Sequence, residues 1–185
     1  QYVLDFTNPA VVDNLYHQMQ KVIDATQLDY IKWDMNRNIT EAWSQYLAAQ
    51  HRPQAEFFHR YIQGVYALYA KLLAHNPEVL IEGCAGGGGR YDLGMLFYSP
   101  QIWVSDDSDA IERLKIQAGT ALGYPLSALS NHVTAAPNDQ VVRNTPLSTR
   151  YNVARFGTLG YELDLTKLDA QQLTIITQQI TAYKA

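Results

Sequence analysis

The sequence predicts an α/β fold: an incomplete (β/α)8 barrel of about six of the eight βα units, forming one domain over residues 1–185. Three observations carry this. Short apolar runs alternate with longer segments of helical period, and crossover helices between such strands impose a parallel sheet. The first turn, Thr7-Asn8-Pro9, lacks the glycine fingerprint with which a doubly wound sheet usually announces its ligand site. A complete barrel takes about 250 residues, so six units would occupy roughly three quarters of one.

The first expected strand is residues 2–5. Asn8 then suits an N-cap and Pro9 the first helical position, before a stripe of Val12, Leu15, Tyr16, Met19, Val22 and Ile23. The second strand is residues 29–34, with partial helix around 41–49. A helix over 54–74 carries Phe58, Tyr61, Ile62, Val65, Leu68, Tyr69 and Leu72 on one face and ends at Asn76-Pro77. A third strand, 79–82, meets a glycine-rich loop at 83–89, and a short helical piece follows near 91–97. A fourth strand at 101–105 leads to a helix over 110–118, where Asp109 and Glu112 fit a capping box. The fifth strand is 126–129, Thr145-Pro146 opens a helix to about 156, the sixth strand is 159–163, and a last helix runs from Asp169.

Composition narrows the function classes. With 47% hydrophobic and 17% charged residues the chain buries a core, and a net charge of −4 with no basic cluster excludes a phosphate-backbone interface. A single cysteine cannot form an internal disulfide or a multi-thiolate zinc site, which points to a reducing compartment. No apolar run approaches the roughly 20 residues that span a bilayer.

In a parallel α/β architecture the active site lies beyond the carboxyl ends of the strands, and here the apolar runs end mostly in acids: Asp5, Asp34, Glu82, Asp106-Asp107 and Asp164, with Lys32, Asn36, Cys84 and Asn131 in similar positions. Such an end suits acid/base or nucleophilic carboxylate chemistry more than zinc chemistry. Strand alternation puts Lys32 and Asp34 on one face and Trp33 on the other. A cation beside Asp34 favours its ionised form, which a glycosidase nucleophile needs, although a structural ion pair has the same spacing.

In residues 103–109, Asp109 reads as a helix cap, and either Asp106 or Asp107 is a candidate general acid, since adjacent acids resist ionising together. A calcium loop needs acids or amides at alternate positions and then glycine, but Ile111 follows Asp107 and Asp109. No Walker or dinucleotide pattern fits residues 83–90, so the glycines are read as admitting a neutral ligand close to the backbone, with Cys84 either a wall of that site or an inert buried residue. His17, His51, His59, His75 and His132 have no metal-binding spacing and read as helix-surface or loop residues, His59 as packing.

Together, YIKWDMNR (residues 30–37), EGCAGGGGRYD (82–92) and WVSDDSDAIERLKIQ (103–117) resemble the catalytic barrel of glycoside hydrolase family 36 α-galactosidases. The resemblance implies a retaining α-galactosidase with Asp34 as nucleophile, Asp106 as acid/base, galactose contacts from Lys32, Asn36, Cys84 and Gly86, and neither metal nor organic cofactor. It implies that the six units are strands three to eight, with an N-terminal β-sandwich, two earlier strands and a C-terminal β-domain outside these residues. It also implies an α-galactoside oligosaccharide substrate and, in the full-length protein, a cytoplasmic homotetramer. A galactosyltransferase of the raffinose- or stachyose-synthase type and a non-catalytic galactoside-binding barrel are the alternatives.

Overall fold

The computed structural model describes residues 3–36 and 38–185. Tyr2 of the expected first strand and Arg37 at the end of the first motif lie outside them. The described residues contain five strands, ordered β1-β2-β3-β4-β5 in one sheet and interleaved with helices. By contact density the chain divides into two compact units, residues 1–81 with 92–100, and residues 82–91 with 101–185.

The first unit holds α1 (Pro9–Thr26), β1 (Tyr30–Asp34), α2 (Gln45–Ala49), α3 (Phe57–His75) and α4 (Leu93–Tyr98). Asn8 caps α1 as its sequence predicts, its side chain accepting from the Ala10 amide. Helices α1 and α3 pack together around Val12, Ile23, Tyr61, Val65 and Leu68, all buried. Phe57 rather than Phe58 turns inward: Phe57 is 2% exposed and Phe58 56%. Gly64 lets the chain cross α3 closely, because a Cβ there would sit 1.9 Å from the Phe6 carbonyl oxygen.

Residues 3–5 form no strand. The Asp5 carboxylate accepts from the Thr7 amide and hydroxyl and from the Ser44 hydroxyl, which turns the chain directly into α1. Asp5 is therefore a turn-builder, not a strand-end acid.

The second unit holds the last residues of β2 (Leu80–Cys84), β3 (Gln101–Trp103), α5 (Ala110–Thr120), β4 (Leu129–Thr134), α6 (Leu147–Ala154), β5 (Thr158–Glu162) and α7 (Ala170–Lys184). The strands pair in parallel, with Glu82 opposite Gln101, Ile102 opposite Leu129 and His132 opposite Gly160. Val133, Tyr151 and Ala154 form a core cluster beneath Leu147, Leu159 and Tyr161.

Three expectations shift here. The apolar run at 126–128 is a 3-10 turn closed by the Ala128 amide on the Pro125 carbonyl, and the strand begins at Leu129. Asn131 consequently lies within β4, buried against Gln117 and Gly157, and does not mark a strand end. Asp109 caps α5 through the Ile111 and Glu112 amides, yet Glu112 reaches Arg143 instead of closing the box. The complete capping box is at Asp169 and Gln172, at the start of α7.

Candidate active site

On β1, Trp33 lies flat on Tyr69 of α3, with ring centroids 4.3 Å apart and planes 9° from parallel. Strand alternation then places Lys32 and Asp34 on the opposite face, as the spacing predicts. Asp34 ends the strand, exposed, and the Asn36 side-chain amide donates to its Oδ2 at 2.7 Å. Three predicted site residues, Lys32, Asp34 and Asn36, thus share the carboxyl end of one strand.

In the second unit β2 runs to Cys84, which is buried. Glu82 is fully buried inside the strand, two residues before its end. The glycines that follow have separable tasks. Gly86 (φ +56°) opens onto empty space, compatible with a ligand against its backbone. Gly87 (φ +76°) abuts backbone: an added Cβ would lie 2.7 Å from Ser105 Cα, and one on Gly88 would lie 2.9 Å from the Val104 carbonyl oxygen. Gly87 and Gly88 therefore serve to seat residues 104–106, a task that the sequence alone does not separate from ligand access.

That seated segment carries the paired acids, and its hydrogen bonds separate them. The Asp107 carboxylate accepts the Asp109 amide at 3.1 Å, a local turn, while the Asp107 amide donates to the Ser105 hydroxyl. Asp106 is exposed, and its carboxylate enters no such turn among the described residues. Asp164, the other strand-end acid, binds Thr166 at the start of a 3-10 turn, and these hydrogen bonds hold its pKa below the usual carboxylate range.

The sequence reading misses a polar cluster behind this segment. His132 is on β4, only 10% exposed, with Nε2 3.3 Å from Glu82 and Nδ1 2.7 Å from Glu162. Its ring stacks on Trp103 at 4.4 Å, and Gly160 makes room for it, since a Cβ there would come within 2.6 Å of the imidazole. The Arg113 guanidinium lies 3.8 Å from the centroid of the same Trp103 ring. Burial lowers the Arg113 pKa to about 10, against the opposing pull of Asp107, Glu162, Asp106 and Glu82, so it remains charged near neutrality. A histidine two residues after a buried serine, in parallel register with glycine, is the available signal, but it requires the register of β4. His59, by contrast, is exposed and packs in no core. Among the described residues no three His, Cys, Asp or Glu side chains gather to hold a metal ion, and no helix is long and apolar enough to cross a membrane.

The melibiase family profile matches residues 1–185. The chain is 50% identical to α-galactosidase Mel36A of Lactobacillus acidophilus and 46% identical to α-galactosidase AgaA of Geobacillus stearothermophilus, each over 184 residues, all of this chain and 25% of the relative. It therefore spans about a quarter of the length of these relatives. Among solved structures, the α-galactosidase from Lactobacillus brevis superposes with a TM-score of 0.93 at 54% identity, covering 98% of this chain and 24% of that one. Variants of AgaA, a family 36 α-galactosidase, have been crystallised with raffinose and with stachyose; both superpose with a TM-score of 0.91, at 44% and 45% identity, over 98% of this chain and 25% of theirs. By this match along its whole length, the chain belongs to the melibiase family.

Proposed function

We propose that the protein to which these residues belong is a retaining α-galactosidase that hydrolyses terminal α-galactosyl residues of oligosaccharides of the raffinose and stachyose class. In this reading an Asp34 oxygen attacks the anomeric carbon while Asp106 protonates the departing glycosidic oxygen, leaving a covalent galactosyl ester on Asp34. Asp106, now a carboxylate, deprotonates the water that cleaves the ester, which restores both acids and releases galactose with its original configuration. Lys32 and Asn36 orient sugar hydroxyls, and Cys84 and Gly86 shape the pocket wall.

The observation that carries the reading is the contrast between the paired acids. Asp107 is committed to its own loop through the Asp109 amide, which leaves the exposed Asp106 as the member able to meet a ligand oxygen. The Asn36 amide on Asp34 supports the other half, since a carboxylate held by a neighbouring donor has a fixed line of attack. Residues 1–185 are read as part of a (β/α)8 barrel, β1 to β5 being its fourth to eighth strands, and the full-length protein as a cytoplasmic homo-oligomer. Proton NMR of an α-galactoside digest by the full-length protein tests the mechanism. α-Galactose as the first anomer to appear agrees with it, and β-galactose first refutes it.

A further inference from the structure

The backbone that carries Asp106 is held carbonyl by carbonyl. Arg113, in the second turn of α5, donates from Nε to the Asp107 carbonyl at 2.7 Å and from an Nη to the Ser105 carbonyl. The carbonyl between them, that of Asp106 itself, accepts from the Gln140 side-chain amide at 2.6 Å. Three consecutive acceptors in an irregular segment thus each receive a donor from elsewhere in the same compact unit.

Both donors are prepared for this. Arg113 is 3% exposed and its guanidinium lies against Trp103, so its two-pronged geometry is fixed before any ligand arrives. Gln140 sits in a loop organised from within: the buried Asn138 side chain accepts from the Gln140 and Val141 amides, and the Asn138 and Arg143 backbones pair. Val142 is held there at φ +56°, a conformation a β-branched residue adopts only when its surroundings impose it. The loop is tied to the acid segment on both sides of Gln140, by Asn138 on the Ser108 hydroxyl at 3.0 Å and by Arg143 on Asp109.

We propose that Arg113 and Gln140 are positioning residues for the acid/base, clamping Ser105 to Asp107 so that the Asp106 carboxyl is aimed at the glycosidic oxygen it protonates. The inference rests on the reading of Asp106 as that acid. In this role both residues act through the backbone they hold. A carboxyl that drifts by about an ångström loses proton transfer in flight while nucleophilic attack proceeds.

Leaving-group dependence separates this from a merely structural role. A 2,4-dinitrophenyl α-galactoside departs without protonation, whereas raffinose needs it. In the full-length protein, Arg113→Lys keeps the charge but cannot reach both carbonyls, and Gln140→Ala removes an exposed side chain. We expect kcat/KM on raffinose to fall about 100-fold in Arg113→Lys and about 10-fold in Gln140→Ala, with the dinitrophenyl substrate within about threefold of wild type in both. Equal losses on both substrates, or wild-type values on both, overturn the proposal. If Arg113→Lys fails to fold by circular dichroism, Gln140→Ala decides alone. Asp106→Ala is the reference. If it too loses both substrates equally, the assignment of Asp106 fails and takes the positioning role with it. If Asp106→Ala is selective and the two variants are not, only the positioning role falls.

Discussion

Trp33 stacks face to face on Tyr69 at 4.3 Å, and this contact between β1 and α3 sets which side of the strand carries Asp34. The strand is five residues long and no residue in it is fully buried, and the aromatic pair anchors it against α3. Tyr69 is 1% exposed, which makes it the partner whose loss leaves a cavity.

Tyr69→Ala is expected to cost about 3 kcal/mol or more, the usual range for removing a buried aromatic ring, and to lower activity through β1. Trp33→Phe retains a stacked ring and should keep most of both. Urea denaturation alongside kcat/KM on an aryl α-galactoside checks the pair; equal tolerance of both substitutions contradicts the anchoring role.

The two left-handed glycines should respond differently. Gly87→Ala combines an unfavourable φ with a Cβ driven into the Ser105 backbone, so we expect a loss of about 2–3 kcal/mol and a large fall in turnover. Gly86→Ala meets open space and carries only the conformational cost, about 1 kcal/mol. Its kinetic effect should appear in KM, where a methyl group crowds the sugar. Melting curves and steady-state kinetics of the two variants distinguish the glycine that seats residue 105 from the one proposed to face the sugar.

Asp106 and Asp107 should separate by substitution. Asp106→Ala is expected to lower kcat/KM on raffinose by about 100-fold to 10,000-fold, the range for loss of a general acid. Asp107→Asn keeps an oxygen that accepts the Asp109 amide, so its activity should stay within about tenfold of wild type. Comparable losses in the two variants would show that the acid has been assigned to the wrong neighbour.

Alkaline stability should carry the mark of two tyrosines. Burial, then the neighbouring Tyr124, raises the Tyr91 phenol to about 12, and burial, then Tyr151, raises Tyr161 to about 12. Both folded values lie above the unfolded value of about 10, so their contribution is complete below pH 10 and is lost as pH rises through 12, where the unfolded chain has already released protons that the folded chain retains. Tyr91→Phe, which keeps a ring to stack 4.3 Å from Tyr124, should flatten the fall in stability between pH 10 and 12. Denaturation midpoints across that interval, with an unchanged slope in the variant, would contradict this.

What the sequence made legible was local. Asn8-Pro9, Asp109 and Asp169 mark helix starts because each cap is a contact between near neighbours, and the alternation of Lys32, Trp33 and Asp34 survives because it follows from strand geometry alone. What was not legible depends on distant partners. Leu126 to Leu129 looks like a strand until the Pro125 turn takes up three of its residues, and Ser130, Asn131 and His132 look like a loop until their neighbours in β3 and β5 are known. Asp5 resembles a strand end because Ser44, the side chain that ties it into a turn, is 39 residues away. The work of Gly87 and the engagement of Arg113 likewise rest on the approach of a second backbone segment, which periodicity does not encode.

The proposed mechanism rests on Asp34 becoming the galactosyl ester. Treating the full-length protein with a fluorinated galactosyl inactivator and mapping the modified peptide by mass spectrometry tests it most directly. One added sugar, on Asp34, is expected; a label on any other side chain contradicts that role.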